Sequence, residues 1–277
     1  MKKSIMFLSA AVLALSTVFI SSCGDDDEGG AKEIPAALIK SITLDEDDGD
    51  YVVTWEFTYD GDDRLTLTEV NEDGFEYEIT YDYSVAGKLT ETEVIEAGVE
   101  EYETVFDLDS EGRIIKQYRD DPSEFNTFEY DEDGYLIAYT EVRGANIPFK
   151  ETATIEDGNI TVHTRYGNGT VISRTKVFTY LPASTAKNVS NLPQANLLNS
   201  ERRTVSGLYG KGSKKLAQYL ELNYVGAPED YVKNSNTYVF DDITNQVVSI
   251  QRTGVDVDGN DTGLNELFTY TYYPIEE

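Results

Sequence analysis

One cysteine, one histidine and one tryptophan occur among 277 residues. The lone thiol, Cys23, has no partner for an intramolecular disulfide, so packing alone holds the fold. The lone imidazole, His163, with no free thiol beside it, argues against zinc or another transition metal. Any Ser-His-acid triad would have to use His163, which sits in ITVHTRY and reads as an ordinary, partly exposed strand residue. There is no G-x-S-x-G elbow, and GLYGKGSKK lacks the spacing of a phosphate-cradling loop. Positive charge is scarce too: 22 Lys and Arg stand against 52 Asp and Glu, for a formal net charge of −30. A chain of that sign repels phosphate backbones, which excludes nucleic acid as a partner. Among so many acids a pair at glycosidase spacing is no evidence of one. No catalytic residue, no cofactor and no enzyme activity is expected.

Long apolar runs are lacking beyond residue 20. Lys2 and Lys3 precede a run at residues 5–20 that is too short, and too soon followed by charge, for a membrane span. Residues 1–22 have the layout of a secretory signal peptide. Ile20, Ser21, Ser22 and Cys23 resemble the lipobox of bacterial lipoproteins, a branched residue and two small ones before the cysteine that is acylated. Residues 23–36 open on Gly24, Asp25, Asp26, Asp27 and Glu28 and read as a solvated acidic tether. That run resembles the signal that sends Bacteroidota lipoproteins to the outer face of the outer membrane. The resemblance implies lipidation at Cys23 and an outer-membrane location facing the cell exterior. Attachment would then come from acyl chains, at about 0.8 kcal/mol per buried CH₂. Loss of Lys2 and Lys3 takes the formal charge from −30 to −32.

What is abundant is alternation. In YVVTWEFTYD, Tyr51, Val53, Trp55, Phe57 and Tyr59 share one face, with Thr54, Glu56 and Thr58 on the other. FEYEITYDY repeats this with Phe75, Tyr77, Ile79, Tyr81 and Tyr83. Period two in Thr, Tyr, Val and Ile predicts strands with one buried and one wet face. A longer period lies over it. An aromatic-acid step recurs at Tyr59-Asp60, Tyr81-Asp82, Phe106-Asp107 and Tyr130-Asp131, weakly at Ile155-Glu156, and again at Phe240-Asp241. Each step leads into a turn-like cluster and a return strand, as in DLDSEGRII, DEDGYLI and IEDGNITV. The unit is a β-hairpin, and hairpins in sequence order make an antiparallel meander. The expected fold is all-β, about 12–16 strands in one domain over residues 37–277.

These units resemble the tyrosine–aspartate repeats of Rhs-type shells. They are still more similar to a family of Bacteroidota lipoproteins of unknown function described as having a porin-like fold. The SGLYGKGSKKLAQYLELNY stretch is similar to a segment of the same family. The resemblance implies a barrel-like or strongly curled sheet and carries no catalytic residues. A membrane-spanning barrel is disfavoured, because the face opposite the aromatics is Glu and Thr rather than an apolar band about 25 Å tall.

Residues 183–236 break the repeat. They hold seven basic residues and four acids, and so a net charge of +3 inside an acidic chain. They are expected to pack against the acidic strands, with Ser213 capping a short helix through Leu216 to Leu220. The acidic turns test poorly as calcium loops: in DLDSEGRIIKQY, Asp107, Asp109 and Glu111 take the first ligand positions, but Tyr118 stands where a bidentate carboxylate is needed. Those three are the weak candidates for a metal. Twenty tyrosines suit a binding face, though most fall at inward strand positions and the sugar-stacking tryptophan is limited to Trp55. Two classes of function follow: a surface-displayed binding or adhesion module for a glycan, peptide or host component, and a purely structural envelope scaffold.

Overall fold

The computed structural model describes residues 37–46, 49–95, 100–121, 123–144, 148–167, 170–182, 192, 203 and 206–274. The signal peptide, Cys23, the acidic tether and most of residues 183–205 lie outside the described residues. The chain runs through β1 (Ile39–Glu46), β2 (Tyr51–Tyr59), β3 (Leu65–Glu72), β4 (Phe75–Asp82), β5 (Lys88–Ile95), β6 (Glu100–Leu108), β7 (Ile114–Tyr118) and β8 (Phe125–Tyr130). It continues through β9 (Leu136–Val142), β10 (Phe149–Glu156), β11 (Asn159–Gly167), β12 (Val171–Tyr180), β13 (Ala217–Tyr224), β14 (Val232–Phe240), β15 (Val247–Asp256) and β16 (Asp261–Tyr272). Every strand pairs antiparallel with its sequence neighbours, and β1 pairs with β16, so the meander closes into a barrel. Closure leaves no edge strand to recruit another chain.

Directly opposed residues share a face, so the ladders sort the two sides. Phe57 faces Thr68, and Thr68 faces Ile79; all three are buried inside. One residue along, Glu56 faces Glu69, and Glu69 faces Glu78, on the outside. Three carboxylates in register across neighbouring strands are tolerable only in water. Thr43, Thr54, Thr127, Thr140, Thr164, Thr175, Thr253 and Thr269 occupy equivalent outward positions elsewhere. Among the described strands, these outward positions are polar.

The repeated acid is turn chemistry. Asp60 Oδ1 accepts hydrogen bonds from the Asp62 and Arg64 amides, and Asp63 sits at φ 60°. Asp256 accepts the same pair from Asp258 and Asn260, with Gly259 at φ 83°. In DEDGYLI, Asp131 accepts from the Tyr135 amide while Gly134 takes φ 90°. These are type I turns closed by a left-handed residue, with a bulge in the ladder beside each. In the third unit the capping residue is Asp109, not Asp107: Asp109 accepts from Glu111 and Arg113, and the bulge falls between Asp107 and Leu108.

The aromatic half of the step has its own task. At one end of the barrel Tyr59 donates to the Ile39 carbonyl (3.0 Å), Tyr130 to Ile114 (2.7 Å) and Tyr180 to Ile160 (2.6 Å). Tyr238 donates to Ala217 and Tyr272 to Val247, each at 2.6 Å. In each case a tyrosine at or near the end of one strand satisfies a carbonyl at the start of the strand before it, where the ladder is irregular. At Tyr59-Asp60 and Tyr130-Asp131 the step thus ties one hairpin end twice, through a hydroxyl inside and a carboxylate outside.

These carboxylates also set an acid limit. Asp60 is held below the usual carboxylate range by the Arg64 side chain and amide, Asp241 by the Thr244 amide and hydroxyl, and Asp256 by the Asn260 side chain and amide. A lowered folded-state pKa means stability that is present above the unfolded value of 3.8 and is lost as pH falls through the folded value. Melting curves below pH 4 should therefore flatten in an Asp60→Asn, Asp241→Asn, Asp256→Asn triple variant relative to the parent. Identical acid limbs would refute the role.

The stretch without repeats divides in two. Residues 206–216 turn into the barrel end that carries the tyrosine ties. Leu208, Tyr209 and Leu216 join the core, Tyr209 stacking on Phe128 at 5.3 Å. The Ile114 amide donates to Leu208, the Lys211 amide to Gly134 and the Lys214 amide to Gly158. Bulged hairpin ends leave those groups unpaired by the ladder, and the segment satisfies them as a plug. Ser213 does not cap a helix: its Oγ accepts from the Ile160 amide, and residues 217–224 form β13. Alternating Leu220 and Leu222 against Tyr219 and Glu221, with β12 and β14 ready on both sides, outweighs one capping residue.

Candidate functional site

The interior changes character along the barrel axis. Toward the plugged end it is aromatic and aliphatic, with Phe57, Phe106, Ile114 and Leu136 fully enclosed. On β9 to β16 it becomes charged in the direction away from the plug. Glu141, Glu151, His163, Arg165, Arg174, Lys176, Asn234, Arg252 and Glu266 all lie on the inward face by their cross-strand partners.

Glu151 is the hub. Its Oε2 lies 2.9 Å from His163 Nε2 and its Oε1 3.2 Å from Arg165 Nε, the latter off the hydrogen-bonding direction. Burial pushes the His163 pKa down, against the pull of Glu151, so the ring is neutral at pH 7 and donates from Nε2. Its Nδ1 is then a buried acceptor without a donor. The expectation of a partly exposed strand residue is corrected here: His163 is 2% exposed, because closing the sheet encloses a face that an open sheet would leave wet.

Further round the wall, Arg252 pairs with Glu266 at 2.8 Å and lies over the Phe268 ring. Among the described residues Arg174 and Lys176 have no carboxylate within ion-pair distance. Arg174 lies over the Tyr224 ring at 5.9 Å with its Nε buried and unbonded. Burial, then the Arg174 cation, brings the Lys176 pKa down to about 8. The opposite wall is acidic: Glu46, Glu72, Glu91 and Glu93 face inward on β1, β3 and β5. Tyr51 donates to Glu72, and Arg203 reaches in to Glu91.

The candidate metal residues fall elsewhere. Asp107 pairs with Lys88 at 2.7 Å and accepts from Tyr118 at 2.5 Å. Asp109 and Glu111 both hold Arg113. Their oxygens serve ion pairs and a turn, and among the described residues no three His, Cys, Asp or Glu side chains converge as a metal set. Trp55 packs against the core. Of the inward tyrosines, Tyr102 and Tyr224 are exposed, at 54% and 37%, on strand ends far from the plug. Sequence reasoning missed the basic wall. The signal was there in alternate positions, Arg165, Arg174 and Lys176, but only closure shows which face they take.

The molecule defined by these features is a sixteen-stranded antiparallel barrel among the described residues, plugged at one end, polar outside and charged within. Among solved structures it is similar to a porin-like protein from Bacteroides uniformis, with a TM-score of 0.66 over 86% of this chain and 99% of that one. Identity is 17%, so the likeness is one of fold. No family model matches the sequence, and no curated protein matches it.

Proposed function

We propose that the protein is a lipid-anchored, non-enzymatic binding module on the outer membrane, facing the cell exterior, that takes a glycan, peptide or other host component at the inner wall of its barrel. The observation that carries this reading is the asymmetry of the barrel. The Tyr273 amide donates to Leu38, so the first described residues before β1 lie at the plugged rim. The charged wall, with its unfilled hydrogen-bonding groups, lies toward the other mouth. A polar outer face fits a tethered barrel better than a channel through lipid. The alternative, an envelope scaffold without a ligand, draws on the tyrosines, five of whose hydroxyls tie hairpin ends.

Cell fractionation of a Cys23→Ala variant tests the anchor: release from the membrane fraction is expected, and full retention would overturn it. Protease treatment of intact cells tests display. Glycan-array and pull-down screens with the detergent-extracted mature chain test binding, and a clean failure of both would leave the scaffold.

A further inference from the structure

The inner face of β11 and β12 has a cost that the described chain does not offset. Arg165 stands directly opposite Arg174, and His163 directly opposite Lys176. The Arg165–Arg174 pair is one of like charges, and these destabilise a sheet when directly opposed on neighbouring strands; the neutral His163 ring gives Lys176 no counter-charge. Three cations therefore meet on one inward-facing, half-buried patch, with one carboxylate, Glu151, among them, and that carboxylate is shared with His163. Among the described residues Lys176 makes no hydrogen bond or ion pair, and the Nε atoms of both arginines are buried without an acceptor. Buried polar groups are ordinarily satisfied, and buried cations ordinarily paired. The patch also runs against the composition, since acids outnumber bases 52 to 22.

We propose that Arg165, Arg174 and Lys176 form an oxyanion site on the inner wall, taking a carboxylate, sulfate or phosphate group of a small acidic ligand. Guanidinium groups offer a planar fork that matches such oxygens, and both arginines are already laid against rings: Arg165 over Phe149 at 4.4 Å, Arg174 over Tyr224. Stacking holds each plane in place, so less freedom is lost on binding. Lys176 adds a mobile ammonium, charged below a pKa of about 8. Arg252 is committed to Glu266 and stands outside the set. The site rests on the binding reading above and narrows its ligand.

The test uses the full mature chain in detergent. Glucuronate, inorganic phosphate and inorganic sulfate are titrated at about 10 mM and below, against sodium chloride of equal ionic strength. At least one should raise the melting temperature beyond chloride and give heat in calorimetry. In the Arg174→Gln, Lys176→Met double variant that affinity should fall about tenfold or more. The variant without ligand should melt no lower than the parent, because it removes unpaired cations. Response to glucuronate alone marks an organic acid, and response to phosphate or sulfate alone marks an inorganic or ester group; both support the site. No response beyond chloride, or an equal response in parent and variant, overturns it. Neutral glycans or peptides captured equally by both proteins would sink the oxyanion site and leave the binding reading standing.

Discussion

Glu91→Ala is expected to lower the free energy of unfolding by about 3–5 kcal/mol, since it strands a buried charge. Glu91 is 3% exposed and receives two bonds from Arg203, Nε to Oε1 at 2.9 Å and Nη2 to Oε2 at 2.6 Å. Arg203 also donates from Nη1 to the Tyr209 hydroxyl and lies 5.0 Å over the Phe106 ring. The pair clamps the non-repeat segment to β5 across 112 residues of sequence. Without the carboxylate, the guanidinium must stay enclosed and unpaired or pull the segment out of the barrel. Removing both charges differs, because an apolar pair of similar volume avoids desolvation. Glu91→Leu with Arg203→Met should return to within about 1–2 kcal/mol of the parent. Denaturant melts of the parent, both single variants and the double variant measure the coupling. A single variant within about 1 kcal/mol of the parent would show that the pair is not desolvated.

Gly210→Ala is expected to cost about 2–4 kcal/mol, from backbone strain and a collision together. Gly210 sits at φ +72°, and a Cβ there would lie 2.4 Å from the Gly134 carbonyl oxygen and 2.9 Å from the Tyr130 ring. That oxygen is the one that accepts from the Lys211 amide at 2.9 Å, so the collision falls on the bond that docks the plug. Gly259 is the control. It has φ +83° with nothing within 4 Å of the added atom, and Gly259→Ala should cost only the strain, about 1–2 kcal/mol. Denaturant melts compare the two, and hydrogen exchange at residues 206–216 locates the loss. Equal costs for both variants would mean that the plug does not dock as described.

Much of the architecture was legible because its period is short. Tyr51 to Tyr59 alternates except at Val52, and Val53, Trp55 and Phe57 take the inward face that their parity implies. The hairpin ends were legible as well, since Asp before a glycine or a left-handed Asp leaves few other backbones. The offset in the third unit was not. Phe106-Asp107 looks like its counterparts, yet a bulge moves the cap to Asp109, and no local preference distinguishes two aspartates two residues apart. Ser213 misled for a related reason. A capping residue before Leu216 and Leu220 satisfies helix rules, but those residues met two strands already waiting for a partner.

By itself the sequence determined an all-β meander of acidic hairpins and the meaning of its repeated turn. These rest on interactions within about ten residues, where alternation and turn chemistry act. Tertiary structure alone decided that β1 meets β16, that residues 206–216 fill one end, and that Arg165, Arg174 and Lys176 share the inner wall. A strand's parity says which residues lie together but not which side is in. That is settled only when sixteen strands close and one of the two faces loses its water.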